Sequence, residues 1–402
     1  MIEEVKKKID QIADCIFAKI QKDEEQSFGL YSGKFGWLLF LIYYAKYTQN
    51  ETHISLTQKF AEKLMQKFVE KEKVHTFCSG LSGILYLFEF LREKEIIDLD
   101  VSKIQSFLDD YVVSHMRQDI QRGYYDFMHG ALGVGLYFLK RKTNPEYIHE
   151  LIDFLQNTVE IDPKNQNCKW ESMIEHEDRK LQVYNLSLCH GISSIIIFLS
   201  RVIKSGIYNE KTQEMLTGAV NFVLSHQNDF VKVGSFFPNL QLKNAQKTKN
   251  TQETASKSRL AWCYGDLGIG LAFWQAGNAT GQTEWKEKGL DILLQSTHRL
   301  TFHETFVHDA GICHGSAGIA MIFRRMFFQT QRNEFKESVP YWIEKTLSFS
   351  GFEDGLAGYK SWMKDVWICD DILLTGISGI GLVLLSYIDK EPHDWDEMFL
   401  LQ

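Results

Sequence analysis

The sequence contains little proline and no stretch that is typical of a membrane span. Only 5 of its 402 residues are proline, and stretches such as IEEVKKKIDQIADCIFAKI carry apolar residues at helical spacing. We therefore predict a mostly helical chain. The uncharged stretch 372–388 is shorter than the roughly 20 apolar residues that cross a bilayer, and it contains glycine, serine and threonine. We interpret it as a buried helix.

The sequence also lacks the charge pattern of a nucleic-acid-binding protein and the N-terminus of a secreted one. Its 44 Lys and Arg against 52 Asp and Glu give a net charge of -8, without a basic stripe interleaved with aromatic residues. The opening MIEEVKKKID has no apolar core of a signal peptide. Seven scattered cysteines fit reduced thiols or metal ligands better than disulfides. We therefore predict a cytoplasmic protein that does not bind nucleic acid.

What the sequence does contain is a seven-fold repeat. A Gly-x-x-Gly step followed by an apolar run recurs at intervals that can hold one helix pair each, with a serine replacing the second glycine in the fourth copy. The copies are YSGKFGWLLFL (31–41), CSGLSGILYLF (78–88), MHGALGVGLYF (128–138), CHGISSIIIFL (189–199), CYGDLGIGLAF (263–273), CHGSAGIAMIF (313–323) and LTGISGIGLVL (374–384).

The polarity of the repeats predicts two classes of helix. The run after each glycine step is hydrophobic all round, as in a helix buried on every side, whereas the segments between the runs are amphipathic. We predict an all-α fold, an α/α toroid of about seven inner and seven outer helices, formed by a single domain over residues 1–402. An open superhelix is the alternative, but such apolar helices would line its concave face poorly. Polar loop insertions are expected near 162–180 and 228–258.

Thiols and imidazoles concentrate directly before the first glycines. These positions lie in the turn ahead of each inner helix, so Cys313 and His314 could both face a central pocket although they are adjacent. Catalytic zinc takes three protein ligands, which Cys263, Cys313 and His314 would supply. Cys78, Cys189 and His190 occupy equivalent positions and are rival ligands, between which spacing cannot choose. Neither CxxC nor HExxH is present, so the cysteines could also be buried structural residues.

The segments AWCYGDLGIG and CHGSAGIA, set within the seven-fold glycine repeat, resemble the LanC family of lanthionine synthetases, the cyclases of class I lanthipeptide (lantibiotic) biosynthesis. The resemblance covers nearly the whole chain. It implies an α/α toroid that binds Zn²⁺ at one end through Cys263, Cys313 and His314. It also implies a reaction in which a cysteine thiol of a precursor peptide adds to a dehydroalanine or dehydrobutyrine of the same peptide. The product is a lanthionine or methyllanthionine thioether ring.

Further positions match the family by motif. These are His190, which we expect to protonate the enolate left by the addition, Asp126, which would orient His190, and Arg259, which would stabilise the enolate or position Asp126. Tyr264, directly after the first zinc cysteine, also matches. The first three have simpler interpretations, namely a structural histidine, a helix-capping aspartate and a solvated surface arginine. The fourth repeat departs from the pattern, because Cys189 precedes its histidine.

The resemblance also implies partners. The substrate would be a dehydrated precursor peptide with leader and core, supplied by a dehydratase and passed to an ABC exporter, and membrane association would come through these proteins. No Gly-x-x-x-x-Gly-Lys-Ser/Thr loop is present, so dehydration is expected elsewhere. Two other functions remain open. One is glutathione or thiol binding, as in eukaryotic relatives; the other is a metal-free α/α-barrel glycosidase that uses a carboxylate pair such as Asp126 and Asp266.

Overall fold

The chain is described by a computed structural model over residues 1–22, 27–96, 102–176, 179–243, 256–389 and 393–402. Helices dominate these ranges. In chain order they are α1 (Ile2–Gln21), α2 (Lys34–Thr48), α3 (Glu51–Lys71), α4 (Leu81–Glu93), α5 (Ser102–Gln121), α6 (Ala131–Arg141), α7 (Pro145–Thr158), α8 (Ile192–Ser205), α9 (Glu210–Leu224), α10 (Phe230–Val233), α11 (Asp266–Thr280), α12 (Thr283–Ser296), α13 (Phe302–Thr305), α14 (Ser316–Thr330), α15 (Asn333–Ser348) and α16 (Ile377–Ile388), followed by a 3₁₀ helix (Trp395–Phe399).

The long helices alternate between fully buried and half-buried, as the sequence predicts. Residues 35–45 of α2 are all buried, whereas α3 buries one face through Thr57, Phe60, Leu64 and Phe68. The inner helices of the described chain are α2, α4, α6, α8, α11, α14 and α16, and each begins directly after the first glycine of a repeat. The outer helices are α1, α3, α5, α7, α9, α12 and α15. The predicted seven inner and seven outer helices are therefore confirmed.

The first glycine of each repeat is the N-cap residue of its inner helix, and glycine is required by close packing. A Cβ atom at Gly80 would lie 2.0 Å from the carbonyl oxygen of Val74. Gly265 additionally has a φ of +86°, which disfavours any side chain. The glycines therefore let the chain fold tightly back on itself before it enters each inner helix.

The chain forms two compact units, Met1–Val112 with Val307–Leu401, and Val113–Phe306. Within the first unit, α16 packs against α1 and α2, so the last repeat adjoins the first. A backbone hydrogen bond of 3.0 Å from Leu374 N–H to the carbonyl of Tyr31 joins the turns of these two repeats. The first and the last repeat are therefore in direct contact within this unit. In the second unit, α8 packs against α6, α9 and α11.

Short strands lie between some of the helices. They are β1 (Glu160–Ile161), β2 (Cys168–Lys169), β3 (Ser172–His176), β4 (Arg179–Asn185), β5 (Leu240–Leu242), β6 (Ser361–Met363) and β7 (Val366–Ile368). β1 pairs with β2, β6 with β7, and β3, β4 and β5 form an antiparallel sheet in that order.

Some of these strands lie within the two segments that the sequence predicts to be loop insertions. The segment 162–180 contains β2, β3 and the start of β4 rather than loop alone. The segment 228–258 contains α10 and β5, while its residues 244–255 lie outside the described residues. No helix in the described ranges combines the length and apolar character needed to cross a bilayer. The single domain over residues 1–402 stays a prediction.

Candidate active site

Asp126 connects the turns that precede α6 and α8. Its Oδ1 accepts hydrogen bonds from the backbone N–H groups of Met128 and His129, at 2.7 and 2.8 Å, and so caps the turn before α6. Its Oδ2 lies 2.7 Å from Nδ1 of His190, in the turn before α8. The capping role and the histidine-orienting role are therefore both present, because each carboxylate oxygen serves one of them.

The partner of Asp126 determines the protonation of His190. A carboxylate oxygen only accepts, so Nδ1 of His190 carries the proton and Nε2 is left for another ligand. Burial lowers the pKa of His190, but the hydrogen bond to Asp126 and its negative charge raise that pKa by more in sum. The net result is a pKa above the ordinary histidine value, so that the imidazolium persists to higher pH.

His190 and Asp126 line a cavity of about 600 Å³. Tyr264 contributes to the same cavity, with its ring centroid 6.4 Å from that of His190. Its hydroxyl accepts a hydrogen bond of 3.5 Å from the side-chain amide of Asn185. Burial, with the nearby Cys189, raises the pKa of Tyr264 to about 12. Tyr264 is therefore a neutral hydrogen-bond donor at physiological pH.

His129 is a cavity residue to which the sequence analysis assigned no role. Its ring stacks on that of His190, with centroids 5.8 Å apart and planes 15° from parallel. Burial lowers the pKa of His129, although Asp126 opposes the shift. The signal was available in the repeat, because His129 precedes Gly130 just as His190 precedes Gly191.

Arg259 is not brought to this cavity. It is half-buried in the segment before α11, and it is not among the described residues that line the cavity with His190 and Asp126. Its carbonyl oxygen lies close to Gly265 and would be 2.4 Å from a Cβ atom there. The proposed role of Arg259 at the enolate stays a prediction without geometric support.

The other chemical group of interest is a cluster of two thiols and one imidazole. The potential ligand atoms of Cys263, Cys313 and His314 all lie within 4.8 Å of one another. With bond lengths of about 2.0–2.3 Å, the ligands of a tetrahedral zinc ion lie roughly 3.5–4 Å apart. Small side-chain adjustments would bring these three atoms to that spacing, so the donor set fits zinc in number and in chemical type.

Groups behind His314 orient its ring. Nε2 of His314 lies 3.3 Å from the carbonyl oxygen of Trp362 and 3.4 Å from Oδ2 of Asp309. Since both of these atoms accept, Nε2 carries the proton and Nδ1 is the nitrogen available to a metal. Asp309 is 1% exposed, and its Oδ2 also accepts a hydrogen bond of 2.8 Å from the backbone of Trp362. Such outer carboxylates and carbonyls commonly fix metal-binding histidines.

The rival ligands have other surroundings. Among the described residues, the cluster includes none of Cys78, Cys189 and His190. The thiol of Cys189 is buried and points to the carbonyl oxygen of Cys263 at 3.5 Å. Nδ1 of His190 is hydrogen-bonded to Asp126. The geometry thus favours one ligand set, which stays a prediction until a metal is measured.

The carboxylate pair of a glycosidase is not present as suggested. Asp266 is completely buried, and it forms an ion pair of 2.9 Å with Arg299. It also accepts backbone hydrogen bonds from Phe236 and Phe237, both at 3.0 Å. A side chain enclosed in this way cannot work with Asp126 on a sugar, so the pairing of Asp126 with Asp266 is wrong.

Comparisons with known proteins agree with the geometry. The family model for lanthionine synthetase C-like proteins matches residues 24–400. The nisin biosynthesis protein NisC of Lactococcus lactis subsp. lactis is 25% identical over 367 residues, which cover 84% of this chain and 81% of that protein. A solved structure of a nisin cyclase superposes with a TM-score of 0.76 at 21% identity, covering 98% of this chain and 97% of the other, and has the same toroid fold. The chain belongs to the lanthionine synthetase C-like family.

Proposed function

We propose that this protein is a zinc-dependent lanthionine synthetase, which closes thioether rings in dehydrated lanthipeptide precursors. The observation that carries the proposal is the Cys263, Cys313 and His314 cluster in a chain that also holds the Asp126–His190 pair at 2.7 Å. Family membership and the similarity to a nisin biosynthesis protein support the same reaction. The cluster suits thiol activation, and the pair suits delivery of a proton.

Cys263, Cys313 and His314 would hold the metal. When bound there, zinc lowers the pKa of a substrate thiol so that the thiolate is available near neutral pH. The protein contributes two thiolates and a neutral imidazole whose other nitrogen is held by Trp362 and Asp309. A ring fixed in this way would present Nδ1 to the metal.

His190 would then complete the reaction. The thiolate sulfur forms a bond to the β-carbon of the dehydro residue, and the π electrons move toward the carbonyl to give an enolate. His190 donates a proton to the α-carbon and regains one from solvent, while the thiol proton leaves to solvent. Asp126 would raise the pKa of the imidazole, which favours its protonated form, and would hold the ring in its orientation. Tyr264 lines the same cavity, where its neutral hydroxyl would be available as a hydrogen-bond donor to the substrate.

The reaction also defines the partners and the compartment. Because the substrate must already contain dehydroalanine or dehydrobutyrine, an enzyme that eliminates water from serine or threonine has to act first, and an exporter would receive the product. We place the reaction in the cytoplasm, because reduced thiols are required. None of the protein's seven cysteines forms a disulfide, which fits that compartment.

A synthetic peptide with one cysteine and one dehydroalanine tests the proposal. Cyclisation leaves the mass unchanged, so the loss of alkylatable thiol from the peptide is the readout. The zinc-loaded protein is expected to consume the thiol far faster than buffer does, and Cys313→Ala to lose this activity. Cys15→Ala, a thiol on α1 outside the cluster, is the matched control. Tight peptide or glutathione binding without thiol loss would instead favour a non-catalytic thiol-binding protein.

A further inference from the structure

Strand β3 presents a free edge to the cavity that contains His190. The three-stranded sheet has the order β3-β4-β5, so in the described chain β3 has a partner on one side only. Ser172, Met173 and Ile174 are consecutive in β3, and all three line the cavity. Consecutive side chains of a strand point to opposite faces, so these three residues cannot all line the cavity from one face of the sheet. What they have in common is the strand edge, which therefore faces the cavity.

The pairing of β4 shows which backbone groups lie on that edge. Gln182 accepts a hydrogen bond of 3.0 Å from the backbone N–H of Lys243, so the backbone groups of Gln182 face the β5 side. Gln182 is paired with Met173 across β3 and β4. Met173 and Gln182 therefore exchange no hydrogen bonds, and the N–H and C=O of Met173 point away from β4. Among the described residues, no partner occupies them.

The edge is held next to the catalytic turn. The hydroxyl of Tyr125 hydrogen-bonds to Oγ of Ser172, and Tyr125 directly precedes Asp126 in the chain. The indole N–H of Trp170, two residues before β3, donates to the carbonyl of Leu155 at 2.9 Å. These two hydrogen bonds anchor the start of β3, one of them to the residue before Asp126 and the other to α7.

We propose that the peptide substrate binds as an added antiparallel strand on the edge of β3, with hydrogen bonds to the N–H and C=O of Met173. This inference rests on the proposed function, because the occupant is the dehydrated peptide that the cavity would receive. Backbone pairing is independent of side chains, so the same edge can hold successive segments of one precursor. The side chain of Met173 is 56% exposed and adds an apolar contact.

Amide hydrogen exchange tests the pairing on the intact zinc protein. The ligand is a synthetic peptide with one dehydroalanine and with serine in place of cysteine, so that it cannot cyclise. The Met173 amide is expected to exchange rapidly in the free protein and to slow at least tenfold with peptide. An unchanged rate at saturating peptide would overturn the proposal. Slowing that requires only a higher protein concentration would also overturn it, because a second copy would then occupy the edge.

Proline substitution tests the same edge by kinetics. Met173→Pro removes an N–H that is outside the β3–β4 ladder, and proline is tolerated on edge strands. It is expected to raise KM for the cysteine-containing peptide about 3- to 10-fold, the effect of one lost backbone hydrogen bond, with kcat and zinc content as in the parent. A parental KM would count against the pairing. If Met173→Pro loses helical structure, the exchange measurement decides.

A matched control lies on the opposite edge of the same sheet. Val183 is paired with Leu242 next to the Gln182–Lys243 hydrogen bond, so the Leu242 N–H faces the outer edge of β5. Leu242 does not line the cavity with His190, and Leu242→Pro should leave KM unchanged. Equal KM increases in both variants would indicate a general loss of sheet structure and refute the pairing. If the parent protein cyclises no peptide, the proposed function fails, whereas cyclisation without these effects refutes the edge alone.

Discussion

Asp126→Asn is the substitution that separates the charge of this residue from its capping role. Asparagine retains an Oδ1 acceptor for the N–H groups of Met128 and His129, so the turn before α6 should persist. It replaces the carboxylate oxygen that lies 2.7 Å from Nδ1 of His190 with a neutral amide. Zinc content and the helical spectrum are therefore expected to match those of the parent.

The charge loss should change the titration of His190. Burial lowers the pKa of His190, and the hydrogen bond and charge of Asp126 outweigh it. Without that charge the burial effect dominates, and the pKa falls below its parental position. A general acid must be protonated, so activity is lost as pH rises through its pKa, and this loss should begin at lower pH in the variant.

A charge-assisted hydrogen bond contributes about 1.5–3 kcal/mol, which corresponds to about a 10- to 150-fold lower kcat at neutral pH. The assay is kcat against pH with the synthetic dehydropeptide, read by thiol alkylation. The Asp126–His190 pair also affects the stability of the fold, again through the raised pKa of His190. A raised folded-state pKa stabilises the fold below the unfolded histidine pKa and loses that effect above the folded one, so the Tm deficit of the variant should shrink as pH rises. An unchanged pH profile with unchanged kcat would refute the reasoning.

Two further predictions concern the metal. Cys313→Ala should remove most of the zinc, measured by elemental analysis, while Cys189→Ala retains it; the reverse pattern would show that the ligand set is misassigned. Asp309→Asn should weaken zinc affinity by about 10- to 100-fold in a chelator competition, because Nε2 of His314 loses a carboxylate partner, and an affinity equal to that of the parent would exclude this orienting role.

The fold could be predicted from the sequence because one local rule is repeated seven times. Each glycine step sets a helix start, and each apolar run, such as residues 35–45, is buried on all sides. The strands between α7 and α8 are not evident from the sequence, because β1 and β2 have two residues each and the segment 162–180 is mostly polar. Of the pairings that these strands form, β1–β2 and β3–β4 are local, whereas β4 pairs with β5 far along the chain, as Val183 does with Leu242.

The site was only partly predictable, for a related reason. Repeat positions identify His190 and the three potential zinc ligands, but not which side chains meet. Asp126 reaches His190 across 64 positions of sequence, and spacing alone contains no signal for that contact. Asp266 shows the converse, because its helix-start position suggests a pocket residue, yet Arg299 and two backbone amides enclose it.

The most direct test of the account is the configuration at the newly protonated α-carbon. A positioned acid delivers its proton to one face of the enolate, whereas bulk water protonates both faces. The slow uncatalysed cyclisation therefore gives the mixture of diastereomers that serves as the reference. The parent enzyme is expected to give one diastereomer. His190→Asn should keep its zinc, lose about 10²–10⁴-fold in turnover and give a mixture in the residual product. A His190→Asn variant that cyclises at the parental rate and yields a single diastereomer would contradict the assignment of His190 as the acid.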